Sequence, residues 1–171
     1  KLLDTMARHE KIARHLHLPF KSGSTRILQA MNRGYSREEY LPLVDYARTV
    51  MPDIVLTSDV IVGFPGETKE AFEETLSLVQ QVRFDALFTF IYSPRPGTPA
   101  AKLPDPVPRA EKQQWFDALL QVQNANSAQK HAAYVGTVQR VLVDGKSGDS
   151  RWPLSARTAG GRLVHLVGDE A

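Results

Sequence analysis

Apolar residues along this chain follow two rhythms that alternate. Over 54–62 they run almost unbroken, and the β-branched density of Val55, Val60, Ile61 and Val62 predicts a strand buried on both faces, as in a parallel sheet. Over 69–82 the period changes: Phe72, Leu76 and Val79 fall at i, i+4 and i+7 and predict a helix with one apolar face. The loop GFPGET joins the two, with Glu67 and Thr68 opening the helix. The same order recurs on either side. Residues 14–19 (RHLHLP) alternate and stop at a proline, which predicts a short strand, and the loop 20–24 leads into a helix carrying Ile27, Leu28 and Met31 with Ser24 as its N-cap. Ser36 and Glu39 form a capping-box pattern, opening a helix expected to bury Tyr40, Leu43, Val44, Ala47 and Val50 before Pro52. Residues 86–92 predict a third strand, with Phe90 in the core, ending in SPRPGTP. One more helix, 2–9, opens the chain on Leu2, Leu3 and Met6.

Strand, glycine-bearing loop and helix therefore repeat, and the order βαβαβ predicts right-handed crossovers and a parallel sheet. The loops SGS, GFPGET and SPRPGTP then lie side by side at the carboxyl ends of the strands, where α/β folds bind ligands. The segment LPDPVP (103–108) marks a boundary. A long helix over 109–129 follows, with Trp115, Leu119 and Val122 on one face. Beyond Gly136 the period becomes that of short strands, 137–143, 152–158 and 162–167, joined by glycine turns at Gly145, Gly148, Gly160 and Gly161. Three such strands are fewer than the roughly five of a small closed barrel, so this module is either incomplete or pairs with something else.

Composition narrows the classes. A chain of 171 residues, 42% apolar, can bury one core plus a small second module. Its longest apolar runs fall far short of the roughly 20 residues of a membrane span, and Lys1 opens no signal-peptide pattern, so a soluble, cytoplasmic protein with no membrane partner is expected. Cysteine is absent. That removes disulfides, thiolate nucleophiles and cysteine-ligated metals from this chain. The net charge of +2 is unevenly spread. Residues 1–107 balance, whereas in 130–168 Lys130, Arg140, Lys146, Arg151, Arg157 and Arg162 face only Asp144 and Asp149, a basic module that suits a polyanion or is an ordinary solvated surface.

Candidate chemistry gathers at the strand ends. GFPGET lacks the Lys-Ser/Thr of a nucleoside-triphosphate loop and is not GxGxxG. His15 and His17 share one side of their strand with no third ligand in register, which favours a satisfied or cofactor-facing pair over a metal site. Asp59 lies inside an apolar run, so it must be paired or face a polar cavity. Lys21 and Arg95 occupy two different rim loops and suit an anionic ligand, a carboxylate or an RNA phosphate, or else form a solvated rim. Tyr92 is a core residue or a stacking surface for an adenine.

The stretches HLHLPFKSGSTRILQAMNRGYSREEY, TSDVIVGFPGET, FTFIYSPRPGTPAA, GTVQRVLVDG and SARTAGGRLVHLVG, in that order and over nearly the whole chain, resemble the carboxyl-terminal part of the tRNA methylthiotransferases of the radical S-adenosylmethionine superfamily. The resemblance implies an α/β fold. Residues 1–108 would be the last three strands, fourth to sixth, of a six-stranded, incomplete parallel TIM-like barrel; 109–133 a connecting helix; and 134–171 an incomplete antiparallel TRAM domain, an RNA-binding module. It implies conversion of N6-isopentenyladenosine beside the tRNA anticodon to its 2-methylthio derivative, with S-adenosylmethionine and two 4Fe-4S clusters as cofactors. A sister branch acts on threonylcarbamoyladenosine. By the same resemblance Ser22, Asp59, Val62, Gly63, Tyr92 and Ser93 would face S-adenosylmethionine. Lys21, Arg95, Arg140, Arg157 and Arg162 would contact RNA.

The departures matter as much. The family's CxxxCxxC loop and the three cysteines of its second cluster have no counterpart here, so this chain offers no catalytic residue and no metal ligand of its own. It is expected to be inactive without the amino-terminal part of such an enzyme, and in isolation a non-catalytic RNA-binding unit is the competing reading. Lys21 stands where the family usually has glutamine. An open half-barrel would also expose edge strands and an apolar face, so poor solubility or self-association is expected.

Overall fold

A computed structural model describes residues 1–168; the final positions of the expected TRAM segment, 169–171, lie outside the described residues. Two three-stranded sheets organise the chain. The first holds β1 (His15–His17), β2 (Val55–Val62) and β3 (Ala86–Ile91), in that spatial order and parallel throughout. Helices α1 (Leu2–Arg8), α2 (Thr25–Ala30), α3 (Arg37–Val50), α4 (Lys69–Val82) and α5 (Arg109–Ala132) accompany it. The second is an antiparallel meander of β4 (Val141–Lys146), β5 (Leu154–Thr158) and β6 (Leu163–Leu166).

β1 is shorter than the alternating pattern predicts because Pro19 has no N–H to give the ladder. Ser58 bridges the break: its hydroxyl donates to the Leu18 carbonyl (2.6 Å) and accepts from Phe20 N–H (2.9 Å). The chain then rejoins β2 at Lys21, whose N–H reaches the Asp59 carbonyl and whose carbonyl accepts from Ile61. Lys21 does this with φ of 63°, in the left-handed region.

One face of the parallel sheet carries the core. Leu56, Val60 and Val62 pack with Tyr40, Val44, Ala47, Phe72, Leu78, Val79, Trp115 and Leu119. The predicted ends of α4 are met, with Thr68 capping through Ala71 N–H, and the capping box of Ser36 and Glu39 opens α3. The opposite face departs from expectation. Asp59 and Ile61 are only half-buried, so β2 is not covered equally on both sides. Phe90, expected in the core, is 53% exposed, and Phe88 beside it, met only edge-on by the His17 ring, is 56% exposed. Leu43 is also 50% exposed, since Tyr40, Val44 and Ala47 already fill the buried stripe of α3.

In the second sheet β4 starts four residues later than predicted. Gly145 lies within the strand at a bulge rather than in a turn, and the reversal falls at Ser147, whose N–H meets the Pro153 carbonyl. The two sheets touch where Arg14 N–H donates to the Ala159 carbonyl and Gly160 lies against Val55, leaving no room for a Cβ. The incomplete barrel and the TRAM identity of the second sheet are taken up below.

Candidate functional site

The uncovered face of the parallel sheet is half polar and half aromatic. Cα pairing sets Thr57 beside His17, and Asp59 and Ile61 beside Phe88 and Phe90. Because side chains alternate along a strand, all of these point away from the helices. Asp59 finds the partner its position demands: Lys21 Nζ lies 2.6 Å from Oδ2, and His17 Nε2 lies 3.4 Å from Oδ1. His17 Nδ1 is 3.0 Å from Thr57 Oγ1, which is also 2.9 Å from His15 Nε2. The two histidines are thus a satisfied pair. The Phe88 ring meets His17 edge-on at 5.8 Å.

The loop after β2 is built around Glu67, which the sequence pattern marks only as opening the helix. Gly63 (φ 74°) and Gly66 (φ 83°) use the left-handed region, and the turn they make folds Glu67 back so that its Oε2 accepts from Gly63 N–H. Glu67 is 2% exposed, and its Oε1 has no partner. Burial pushes its carboxyl up to about 7, against the opposing pull of the Gly63 and Phe64 N–H groups. Gly63 also presses on α5: a Cβ there would meet the methylene stem of Lys112, whose ammonium is held by Asp105. The sequence shows a glutamate directly after a glycine loop; its burial shows only in the structure.

The predicted cofactor residues occupy the strand ends but differ in what they present. Asp59 and Lys21 face the open side. Ser22 is buried, its hydroxyl accepting from Ser24 N–H (3.2 Å) and 3.3 Å from Thr75 Oγ1, so it holds the loop from behind. The Val62 side chain is in the core, and its carbonyl accepts from Tyr92 N–H. The Tyr92 ring packs edge-on against Phe64 at 5.1 Å, and its buried hydroxyl has no partner. Ser93 and Arg95 are exposed.

The cations expected to meet RNA divide as well. Arg140 is exposed, like Arg95, and neither has a carboxylate partner among the described residues. Arg157 is held by Asp144 at 3.1 Å. Arg162 turns inward, bonded to the buried carboxylate of Asp85 and lying over the Tyr134 ring at 5.1 Å. Where the two sheets meet, a cavity of about 810 Å³ is lined by His15, Thr57, His131, Tyr134, Gln139 and Arg162, among others. No helix among the described residues is long and apolar enough to cross a membrane.

Residues 1–79 match the family model of the Radical SAM superfamily. The chain is 47% identical over 169 residues to the tRNA-2-methylthio-N(6)-dimethylallyladenosine synthase of Clostridium botulinum, covering 99% of this chain and 38% of that protein. It is 49% identical over 168 residues to the Chromobacterium violaceum protein of the same name, covering 98% and 38%. The chain therefore spans under two fifths of the length of these relatives. Among solved structures, coproporphyrinogen III oxidase from Escherichia coli, described as a radical SAM enzyme, aligns at 25% identity and a TM-score of 0.49 over 68% of this chain and 26% of its own.

Proposed function

We propose, from the premise that the chain belongs with the radical S-adenosylmethionine methylthiotransferases it matches from end to end, that it forms part of an enzyme placing a methylthio group on N6-dimethylallyladenosine of tRNA. The observation that carries this reading is the near half identity along the whole chain to relatives of that name. The open, polar and aromatic face of a parallel sheet is what such an enzyme would turn toward its cofactor. On this reading β1, β2 and β3 are the fourth to sixth strands of a six-stranded partial barrel, α5 is the connector, and β4 to β6 begin a TRAM domain.

The residues present fit S-adenosylmethionine in part. Asp59 uses one lone-pair site on each oxygen for His17 and Lys21, which leaves acceptor capacity for an ammonium or a ribose diol. The partnerless Tyr92 hydroxyl and exposed Ser93 lie one strand over; Gly63 and Val62 offer backbone rather than side chains, and Ser22 shapes the loop. When bound, S-adenosylmethionine supplies the 5′-deoxyadenosyl radical and, from a second molecule, the methyl group. The 4Fe-4S clusters, two in the proposed enzyme, do not fit this chain, because it has no thiolate to offer. They belong to a partner segment.

For the RNA, direct phosphate contact is proposed first for Arg95 and Arg140. Lys21, Arg157 and Arg162 would each have to leave a carboxylate. The lack of cysteine keeps a second reading in place for the chain by itself: an RNA-binding unit without chemistry.

The test is to express the full-length gene in a bacterium lacking its own methylthiotransferases and to analyse tRNA nucleosides by mass spectrometry. The 2-methylthio derivative of N6-dimethylallyladenosine is expected. Its absence, with only the threonylcarbamoyladenosine product formed, would move the enzyme to the sister branch.

A further inference from the structure

Three helices end at one corner of the molecule, beside the start of β3, and each brings a cation there. Arg48 stands in the last turn of α3, Arg83 directly after α4 and Lys130 in the last turn of α5. Arg48 donates to the carbonyls of Val82 and Arg83, and Arg83 donates to Gln129 Oε1, next to Lys130. The acid at this corner is Asp85, and its charge is already met. Arg162 bonds to its Oδ1, and Leu56 N–H donates to Oδ2 at 2.9 Å. Lys130 Nζ stands 4.0 Å from Oδ2, at the outer limit of an ion pair. Among the described residues no carboxylate pairs with Arg48 or Arg83.

Cations suit helix C-termini, because the unpaired carbonyls there carry partial negative charge. That accounts for only part of the arrangement. Three helix ends offer about −1.5 elementary charges between them, against the three full positive charges of Arg48, Arg83 and Lys130. The surplus is felt inside the cluster. Burial, together with the charges of Arg48, Arg83 and Arg162, holds the Lys130 ammonium below the usual lysine range, against the opposing pull of Asp85. Keeping Lys130 charged therefore works against the fold, and an incoming anion would relieve it. Arg83 is exposed and Lys130 half-buried, so solvent reaches both.

Position narrows the anion. Asp85 lies at the amino end of the parallel sheet, so the corner is about one length of β2 from the rim loops, eight residues or about 26 Å. A group bound there cannot touch the cofactor residues at the rim. The corner also adjoins the second sheet, through Arg162. A ligand that spans this distance and carries charge along its whole length is an RNA backbone.

We propose that Arg83 and Lys130, together with Arg48, form a second phosphate-binding surface for the tRNA, remote from the base that reacts. The identity of the RNA rests on the functional reading above; the surplus of charge does not.

The test is the salt dependence of tRNA binding by the full-length enzyme. Each phosphate contact removed should lower the slope of log affinity against log salt by about 1. Arg83→Gln and Lys130→Gln should each do so, and each should weaken binding about fivefold. Arg83→Lys and Lys130→Arg keep the charge and should bind as the wild type does. Affinity for S-adenosylmethionine should not move in any of the four. Since Lys130 is charged at a cost, Lys130→Gln should melt no lower than the wild type, whereas a lysine that served only Asp85 would destabilise the protein when removed.

Wild-type tRNA affinity and slope in both neutral variants overturn the proposal. A loss as large in the charge-keeping variants also overturns it, because its cause would be a distorted fold. Should Arg83→Gln not fold, Lys130→Gln with Lys130→Arg still decides. A wild-type enzyme that binds tRNA but forms no methylthio product overturns the functional reading and leaves this surface standing. One that binds no tRNA overturns both.

Discussion

At the scale of single residues, Glu67 is the group most out of keeping with its surroundings. It anchors the loop after β2 through Gly63 N–H, yet one oxygen is buried without a partner and its carboxyl is raised to about 7. Ionisation is thus disfavoured in the folded chain relative to the unfolded one. The associated stability is fully present below about pH 4.5 and is lost as pH rises through about 7. A carboxyl raised that far above its ordinary value is worth about 3 kcal/mol. Glu67→Gln keeps an acceptor for Gly63 and cannot ionise. Urea midpoints should fall between about pH 5 and pH 8 in the wild type and stay level in Glu67→Gln; parallel pH profiles for the two proteins would refute this. The glycine-rich loop was visible in the sequence, but the role of its glutamate was not, because that role depends on Lys112 sealing the loop from a distant helix.

At the scale of elements, what could be read from the chain was whatever local pattern decides. The capping box of α3, both ends of α4 and the parallel order of three strands followed from spacing alone. Exposure on β3 did not. Phe88 and Phe90 alternate as core residues do, and whether they are buried depends on what stands opposite them. The long helix α5 lies between these cases: its apolar face was legible through Trp115 and Leu119, while its buried polar residues were not. Gln123 donates to the Phe84 carbonyl and Asn126 to the Val79 carbonyl, tying α5 to the end of α4 and the approach to β3. Trp115 stacks on Phe72 at 5.4 Å and is 6% exposed. Trp115→Ala should therefore cost about 3–5 kcal/mol in chemical denaturation, against about 1 kcal/mol for half-buried Val122→Ala. Equal losses would mean that α5 is only loosely seated on the sheet.

At the scale of the whole molecule, the contact between the two sheets turns on Asp85 and Arg162. Asp85 sits just before β3, accepts from Leu56 N–H at 2.9 Å and has a side chain only 6% exposed; Arg162 reaches it from the approach to β6 with a side chain 14% exposed. Lys130 lies 4.0 Å from the same carboxylate and is half-buried. The positive excess of the last segment made Arg157 and Arg162 look alike as RNA contacts, since sequence cannot reveal a carboxylate 77 positions away. Their surroundings separate them. Arg157 and Asp144 are 50% and 35% exposed, so solvent screens the pair and Arg157→Ala should change stability by no more than about 1 kcal/mol. Arg162→Ala leaves a buried carboxylate with too little compensation and should cost about 3 kcal/mol. Replacing both partners, Asp85→Asn with Arg162→Met, should recover part of that loss. Thermal denaturation of the four proteins is sufficient to test it. If Arg162→Ala melts with the wild type and weakens tRNA binding instead, Arg162 is an RNA contact and the joint between the sheets is held by something else.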